Sequence, residues 1–147
     1  MKLVNKKATF DYDILDKFEA GIALLGPEVK SLRAGHASLD GSFVRLLNGE
    51  AYLINAQIFP YEFAHVEKYD PKRTRKLLFH KKELISIKSK LDGANLTLIP
   101  LSWYTKSHRL KLEVGLARGK KQFEKRDKIR KKDAKRDLER EFRGKIR

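Results

Sequence analysis

The chain has 147 residues and is strongly basic, with 34 Lys and Arg against 19 Asp and Glu and a formal net charge of +15. Its 41% hydrophobic content is enough for one domain with a buried core. The chain has no cysteine, which excludes disulfide and thiolate–metal frameworks. It also has no apolar run of transmembrane length and no signal-peptide pattern, so the sequence predicts a cytoplasmic protein without a membrane partner.

The first half of the chain is predicted to form a long strand, a short helix and a hairpin. Apolar and charged residues alternate across Phe10–Leu25, which is typical of a half-buried strand. Pro27 favours a helix start and Gly35 a helix end, so a helix is expected from Pro27 to about Ala34. The runs FVRLL and AYLINAQIF flank Asn48-Gly49, a dipeptide that favours a tight hairpin turn.

The second half is predicted to form a loop, a helix and two strands. The polar segment Pro60–Leu77 is interpreted as a mobile basic loop. Helical spacing of leucine and isoleucine predicts a helix over about Leu77–Leu91, and alternation predicts strands over Asn95–Tyr104 and Leu110–Ala117. The fold expected is therefore mainly β: an OB-like closed antiparallel barrel with two or three short helices and a basic C-terminal tail.

The charge divides the chain into a body, residues 1–117, and a tail, residues 118–147. Fifteen of the 34 basic residues but only six of the 19 acidic residues lie in the tail. Apolar tail residues recur at every fourth position, at Ala134, Leu138, Phe142 and Ile146, which is near helical spacing. Because that apolar stripe is thin and like charges repel at the same spacing, the tail is predicted to be disordered when free and helical on a partner.

No constellation in the sequence predicts catalysis, a cofactor or a metal site. The four histidines lack metal-ligand spacing, and GLARGKK at 115–121 lacks the spacing and hydroxyl of a phosphate-binding loop. The chain is therefore predicted not to be an enzyme. The cations of Lys72–Lys76 could belong to a solvated loop, but the overall basic charge favours contact with phosphates.

Five sequence segments together resemble the bacterial SsrA-binding protein family, SmpB. They occur in one order along nearly the full chain: NKKA at 5–8, FEAG at 18–21, EVKSLRAG at 28–35, RTRKLL at 73–78 and GLARGKK at 115–121. The resemblance implies a non-enzymatic protein with an OB-like fold. It further implies that the protein binds transfer-messenger RNA and escorts it to stalled ribosomes.

The resemblance also implies particular RNA-binding residues. By motif position these are Asn5, Glu19 and Leu78, and charge adds the neighbouring basic residues Lys6, Lys30, Arg33, Arg73, Arg75 and Lys76. Two alternatives stay open: Leu78 could be a core leucine, and Glu19 could be a strand carboxylate paired with a lysine.

For the tail, the resemblance implies entry into the messenger path and decoding region of the small ribosomal subunit. Lys120, Lys121, Lys125 and Arg126 are expected to contact ribosomal RNA, and Phe123 to stack on a base. Family tails have an aromatic residue or histidine followed by Asp-Lys-Arg where this chain has Phe123-Glu124-Lys125-Arg126. The free protein is expected to be a monomer. The alternatives are a structural ribosomal or other general RNA-binding protein and an RNA-processing enzyme.

Overall fold

The computed structural model describes residues 2–62, 64, 67–92 and 95–119. Within these ranges the chain is mainly β, with three short helices among nine strands. The elements in chain order are β1 (Lys2–Val4), α1 (Lys6–Asp11), β2 (Tyr12–Ile22), α2 (Gly26–Arg33), β3 (Ala37–Ser38), β4 (Phe43–Leu47), β5 (Glu50–Ile54), β6 (Gln57–Ile58), β7 (Arg75–Leu78), α3 (Lys81–Asp92), β8 (Thr97–Lys106) and β9 (Arg109–Gly119). The mainly β class predicted from the sequence is confirmed. None of the described helices is long and apolar enough to cross a membrane.

The strands form one large antiparallel sheet and one small one. The large sheet has the order β1-β8-β4-β5-β7-β2-β9, and β8 also pairs with β9. The small sheet pairs β3 with β6. Trp103 and Leu112 are fully buried at the centre of the main core, and Leu32 of α2 and Ile87 of α3 enter the same core. The helices therefore pack on the sheet through single apolar faces.

One irregular position in β8 sends side chains to two different cores. The pairing of β8 with β9 shifts between Pro100 and Ser102, where a proline cannot donate to the ladder. On the N-terminal side of the shift, Ile99 faces a small second cluster against α1. Beyond it Trp103, which is also odd-numbered, faces the main core. Because a one-residue slip moves a side chain to the opposite face, the bulge allows one strand to serve both cores.

Helix α1 was missed by the sequence analysis, which predicted a strand from Phe10. Asn5 is its N-cap, and the Asn5 Oδ1 atom accepts a hydrogen bond of 3.3 Å from the backbone N–H of Ala8. The strand itself starts at Tyr12. The six-residue helix buries Ala8 in the second cluster, so tertiary packing stabilises a segment too short to form a helix alone.

Three other predictions of local structure agree with the structure. Helix α2 covers Gly26–Arg33, and Gly35 has the positive φ of +80° that a helix end favours. Strands β4 and β5 form the expected hairpin, and Asn48 and Gly49 have φ angles of 51° and 77°. The predicted pair of C-terminal strands is also present as β8 and β9, although both strands extend beyond the predicted ends.

The predicted loop over Pro60–Leu77 is present in its described residues up to Thr74 but wrong at its end, and the predicted start of the following helix is wrong. Residues Arg75–Leu78 form strand β7, which pairs with β5 on one side and β2 on the other. Helix α3 starts only at Lys81, although Leu84, Ile87 and Leu91 do face the core. A four-residue strand that is paired on both sides with distant parts of the chain is too short to show a periodic pattern in its own sequence.

We predict that Gly115→Ala destabilises the protein. A Cβ at Gly115 would lie 3.0 Å from the Leu101 Cδ1 atom and 3.2 Å from its Cγ atom, and Leu101 is itself buried. Because this neighbour has little room to move, we expect the free energy of unfolding to fall by about 1–3 kcal/mol. Urea denaturation measures this change. Gly26→Ala is the matched control, since nothing lies within 4 Å of its added Cβ, and equal stability of the two variants would contradict the prediction.

Candidate nucleic-acid interface

A cluster of four side chains, Glu28, Tyr69, Arg73 and Arg75, lies at the centre of the candidate site, and Glu28 and Arg75 are buried. Glu28 is 2% exposed, and its two carboxylate oxygens accept hydrogen bonds from both guanidinium groups. Arg75 donates to Oε2 from Nε at 2.8 Å and from Nη2 at 2.6 Å. Tyr69 Oη donates to the same oxygen at 2.9 Å. We call this group the Glu28 cluster.

The Glu28 cluster joins elements that are distant in the sequence. Glu28 lies in the first turn of α2, where its Oε1 atom accepts a 2.9 Å hydrogen bond from the backbone N–H of Leu25. Arg75 begins β7, and Arg73 lies two residues before it. The ion pairs of the Glu28 cluster therefore bind the start of α2 to the sheet.

Arg75 is fully buried, and all of its side-chain nitrogens donate within the protein. Besides Glu28, it donates to the carbonyl oxygens of Ala56 at 2.7 Å, Pro71 at 3.0 Å and Arg73 at 3.1 Å. In this conformation a phosphate has no access to the guanidinium group. The structure thus places Arg75 under the surface, whereas the side chain of Arg73 remains 30% exposed.

The ionisation of the Glu28 cluster follows from these contacts. Burial raises the pKa of Glu28, but hydrogen bonds from Arg73, from the Leu25 N–H and from Arg75 outweigh it, so the pKa lies below its usual value of 4.5. Burial and the neighbouring carboxylate raise the pKa of Tyr69. At neutral pH Glu28 is therefore a carboxylate between two guanidinium groups, which leaves a net positive charge.

Four other sequence-predicted cations are exposed. Lys30 and Arg33 lie on α2, in which Glu28 is the anchoring residue. The Nη2 atom of Arg33 donates to the His108 carbonyl in the β8–β9 turn at 2.9 Å. Lys76 lies on β7, 3.6 Å from Glu50, and Lys6 lies separately on α1. The structure thus brings Lys30, Arg33 and Arg73 to the elements held by the Glu28 cluster, and places Lys6 elsewhere.

Glu19 and Leu78 line one shallow depression of about 460 Å³, together with Gly21 and Lys111. Leu78 is 54% exposed, so it is not a core leucine. Gly21 is its partner across β2 and β7, and a Cβ there would lie 3.3 Å from the Leu78 Cβ atom. Glycine at this position allows the leucine to lie close against β2 while its side chain faces outward.

The carboxylate of Glu19 is held by two groups from β8. Tyr104 Oη donates to its Oε2 atom at 2.6 Å, and Lys106 Nζ lies 3.4 Å from the same atom. The hydrogen bond from Tyr104 is the main cause of the lowered pKa of Glu19. Burial and the nearby carboxylate in turn raise the pKa of Tyr104. The alternative of a strand carboxylate paired with a lysine is thus present in the structure. Both contacts are made by Oε2 of Glu19, which leaves its Oε1 atom for a ligand.

Asn5 is 5% exposed and has a structural role. Its Nδ2 atom donates to the Pro100 carbonyl at 2.9 Å, and its backbone N–H donates to the Leu101 carbonyl at 2.8 Å. These carbonyls lie at the bulge in β8, so Asn5 links the start of α1 to that bulge.

Glu28, Tyr69 and Tyr104 belong to the site but were not predicted from the sequence. In the sequence Glu28 is only the first residue of the EVKSLRAG segment, and its arginine partners are 45 and 47 residues away. A glutamate within a motif and two arginines in another basic motif were the available signals. Their pairing became visible only in three dimensions.

The tail residues Lys120, Lys121, Phe123, Lys125 and Arg126 lie outside the described residues. In the part of the chain that is described, no group of three or more His, Cys, Asp or Glu side chains could hold a metal ion. The described part of the site therefore offers cations, a shaped depression and aromatic rings.

The fold and this surface define a basic, mainly antiparallel β protein whose α2 and β7 carry a cationic surface over a buried carboxylate. The family model "SmpB protein" matches residues 2–144. The chain belongs to the SmpB family.

Its relatives match over almost their full length. The SsrA-binding proteins of Sulfurihydrogenibium sp. and Aquifex aeolicus are each 50% identical to it, over 97% of this chain and 93% and 91% of their own lengths. A solved chain described as "tmRNA-SmpB: a journey to the center of the bacterial ribosome" is 50% identical, with a TM-score of 0.68, and the match covers 82% of this chain and 85% of that one. The resemblance inferred from the five sequence segments is confirmed.

We predict that Glu28→Gln destabilises the protein by about 3–5 kcal/mol, because it leaves the buried Arg75 without its counter-charge. Glu50→Gln is the matched control: its pair with Lys76 is about half exposed, and we expect a change below about 1 kcal/mol. Denaturant unfolding at pH 7 measures both.

The same variant tests the pH dependence. A lowered carboxyl pKa contributes stability above the unfolded value near 4.5, and this contribution is lost as the pH falls through the lower folded value. Glu28→Gln should therefore lose less stability than the wild type between pH 6 and about pH 3. Parallel stability curves for the two proteins would show that Glu28 is not the group responsible.

Proposed function

We propose that this protein binds the tRNA-like part of transfer-messenger RNA and delivers it to stalled ribosomes for trans-translation and rescue. The observation that carries the proposal is the 50% identity to SsrA-binding proteins over 97% of the chain. The protein acts as a binding partner and not as an enzyme. Its place of action is the cytoplasm, where stalled ribosomes occur.

The scaffold in this proposal is an OB-like closed barrel. The pairings from β8 through β4, β5, β7, β2 and β9 lead back to β8, which supports closure. Closure leaves no long sheet edge exposed, and OB-type barrels commonly bind oligonucleotides on their surface.

Within the RNA surface the proposed residues have different tasks. The exposed side chains of Lys6, Lys30, Arg33 and Lys76 contact phosphates, and Arg73 contributes its exposed part. Arg75 and Asn5 act through the backbone and side chains that they hold. The Glu19 carboxylate accepts from base amino groups or 2′-hydroxyls, while Leu78 packs against a base or sugar beside it. Phosphate contacts supply affinity, and the depression supplies selectivity.

We predict that Arg33→Ala and Glu19→Gln weaken RNA binding in different ways. Loss of a phosphate contact reduces counterion release, so Arg33→Ala should lower the slope of log affinity against log salt by up to about one unit. Glu19→Gln replaces one of the two acceptor oxygens of the carboxylate with a donor NH2, touches no phosphate contact, and should leave that slope unchanged. Titrations of the tRNA-like RNA at several salt concentrations measure both.

Lys90→Ala provides the control for charge alone, because Lys90 is an exposed cation outside the proposed RNA-binding set that pairs with Asp16 at 2.9 Å. Its salt slope should match the wild type. A lowered slope for Glu19→Gln, or an unchanged one for Arg33→Ala, would overturn the assignment of these two roles.

The tail in this proposal is disordered when free and becomes helical in the messenger path and decoding region of the small subunit. Lys120, Lys121, Lys125 and Arg126 hold it to ribosomal RNA, and Phe123 stacks on a base. The support is the tail's own sequence: fourth-residue apolar spacing with too little apolar area for independent stability. The free protein is a monomer.

We predict that a chain ending at Gly119 still binds the tRNA-like RNA but no longer supports peptide tagging on stalled ribosomes. The cut follows β9, whose last residue pairs with Tyr12, so the sheet is left whole. A gel-shift titration and a tagging assay measure the two activities. Loss of RNA binding in the truncated chain would refute this division of labour.

A further inference from the structure

A pocket of about 350 Å³ opens beside the Glu28 cluster, between the start of α2 and the segment that follows β6. Its lining includes the rings of Phe59, Tyr61 and Tyr69 together with Leu25, Pro60 and Lys68. None of these residues belongs to the RNA-binding set assigned above. We call it the Phe59 pocket.

The walls of the Phe59 pocket are held in place by hydrogen bonds. The backbone N–H of Phe59 donates to the His36 carbonyl at 3.0 Å. Tyr69 Oη donates its single proton to Glu28 at 2.9 Å and also lies 2.9 Å from the Ile58 carbonyl oxygen. The ring of Tyr69 is thus fixed by the Glu28 cluster, and Phe59 is fixed through its backbone. A ligand would enter a site that already exists, without the cost of ordering these groups.

Apolar side chains line this pocket at the protein surface. Phe59 is 44% exposed and Leu25 is 42% exposed. An exposed aromatic and aliphatic pair on a rigid wall provides a face for a flat ring.

Two lysines lie at the pocket and indicate which kind of flat ring would fit it. The ammonium group of Lys30 lies 5.4 Å from the centroid of the Tyr61 ring, and the exposed Lys68 is part of the lining. Arg73 is 30% exposed next to Glu28, whose charge is matched by two guanidinium groups. An apolar side chain of a protein partner would make no favourable electrostatic contact with these cations. A nucleotide uses both features, because its base is a flat ring and its phosphate is an anion.

We propose that the Phe59 pocket receives one unstacked base of a bound RNA, with the flanking phosphates held by Lys30 and Lys68. This inference rests on the proposed function, since it takes transfer-messenger RNA as the natural ligand. It adds a base-stacking site to a surface otherwise described by phosphate contacts and by the Glu19 depression. Single-stranded or looped RNA is required, because a base inside a duplex is not available for stacking.

The test is the affinity of full-length Phe59→Ala for two probes: the tRNA-like fragment of transfer-messenger RNA and a 12-nucleotide oligouridylate. Loss of one stacking contact should weaken binding by about 5- to 100-fold. The salt slope should stay at the wild-type value, because no phosphate contact is lost. Phe59→Trp should bind at least as tightly as the wild type, since it retains a stacking surface.

Leu47→Ala is the matched control, because Leu47 is 48% exposed and does not line the pocket. It should bind both probes as the wild type does. Thermal unfolding of each variant shows whether the fold is kept. If Phe59→Ala is unstable, Phe59→Trp and Tyr61→Ala test the pocket instead. Wild-type affinity of Phe59→Trp together with weakened binding by Tyr61→Ala supports base binding in the pocket.

The two probes separate the failure of this inference from failure of the proposed function. Wild-type affinity of Phe59→Ala for both probes overturns the proposal that the Phe59 pocket binds a base. Occupation of the pocket by a protein side chain would overturn it too. The proposed function is unaffected by either result. If the wild type does not bind the tRNA-like fragment, the proposed function is overturned. The oligouridylate then decides the pocket: weaker binding by Phe59→Ala supports it, and equal binding overturns it.

Discussion

The candidate RNA surface depends on the hydrogen bonds and ion pairs of one buried carboxylate, that of Glu28. A charge that is 2% exposed is stable only because Arg73, Arg75, Tyr69 and the Leu25 N–H all donate to it. These donors come from the start of α2, from the segment before β7 and from β7 itself. Satisfying one carboxylate therefore fixes the relative positions of three segments that carry the candidate RNA contacts.

This arrangement separates the cations by task. A guanidinium group that is committed to a buried carboxylate, as in Arg75, cannot also neutralise a phosphate, but it can hold a helix end against a sheet. The exposed cations on α2 are not paired with Glu28 and can contact a ligand, while the Glu28 cluster fixes the position of the helix that carries them. Arg73 lies between these extremes, since part of its side chain reaches the surface while its nitrogens bond to Glu28. Positioning of this kind lowers the cost of ordering long side chains on binding.

The bulge in β8 has a comparable role on the other side of the molecule. Pro100 interrupts the ladder, the register shifts before Ser102, and Asn5 uses the carbonyls released there to start α1. The same shift turns Trp103 into the main core while Ile99 remains with the second cluster. One local irregularity thus supports a helix and divides the apolar side chains between two cores.

The sequence by itself determined the features that arise from short-range chemistry. Turn dipeptides, helix-end residues and alternation identified the Asn48-Gly49 hairpin, helix α2 and the strands β8 and β9, and five short segments identified the family. It did not determine α1 or β7, because a six-residue helix and a four-residue strand owe their stability to neighbours that are distant in the chain. Nor could it distinguish a buried arginine from an exposed one in Arg73-Thr74-Arg75. Only the tertiary structure decided that, by bringing Glu28 within 2.6 Å of Arg75 across a separation of 47 residues. Burial and partners are properties of the folded chain, whereas residue type and spacing are properties of the sequence.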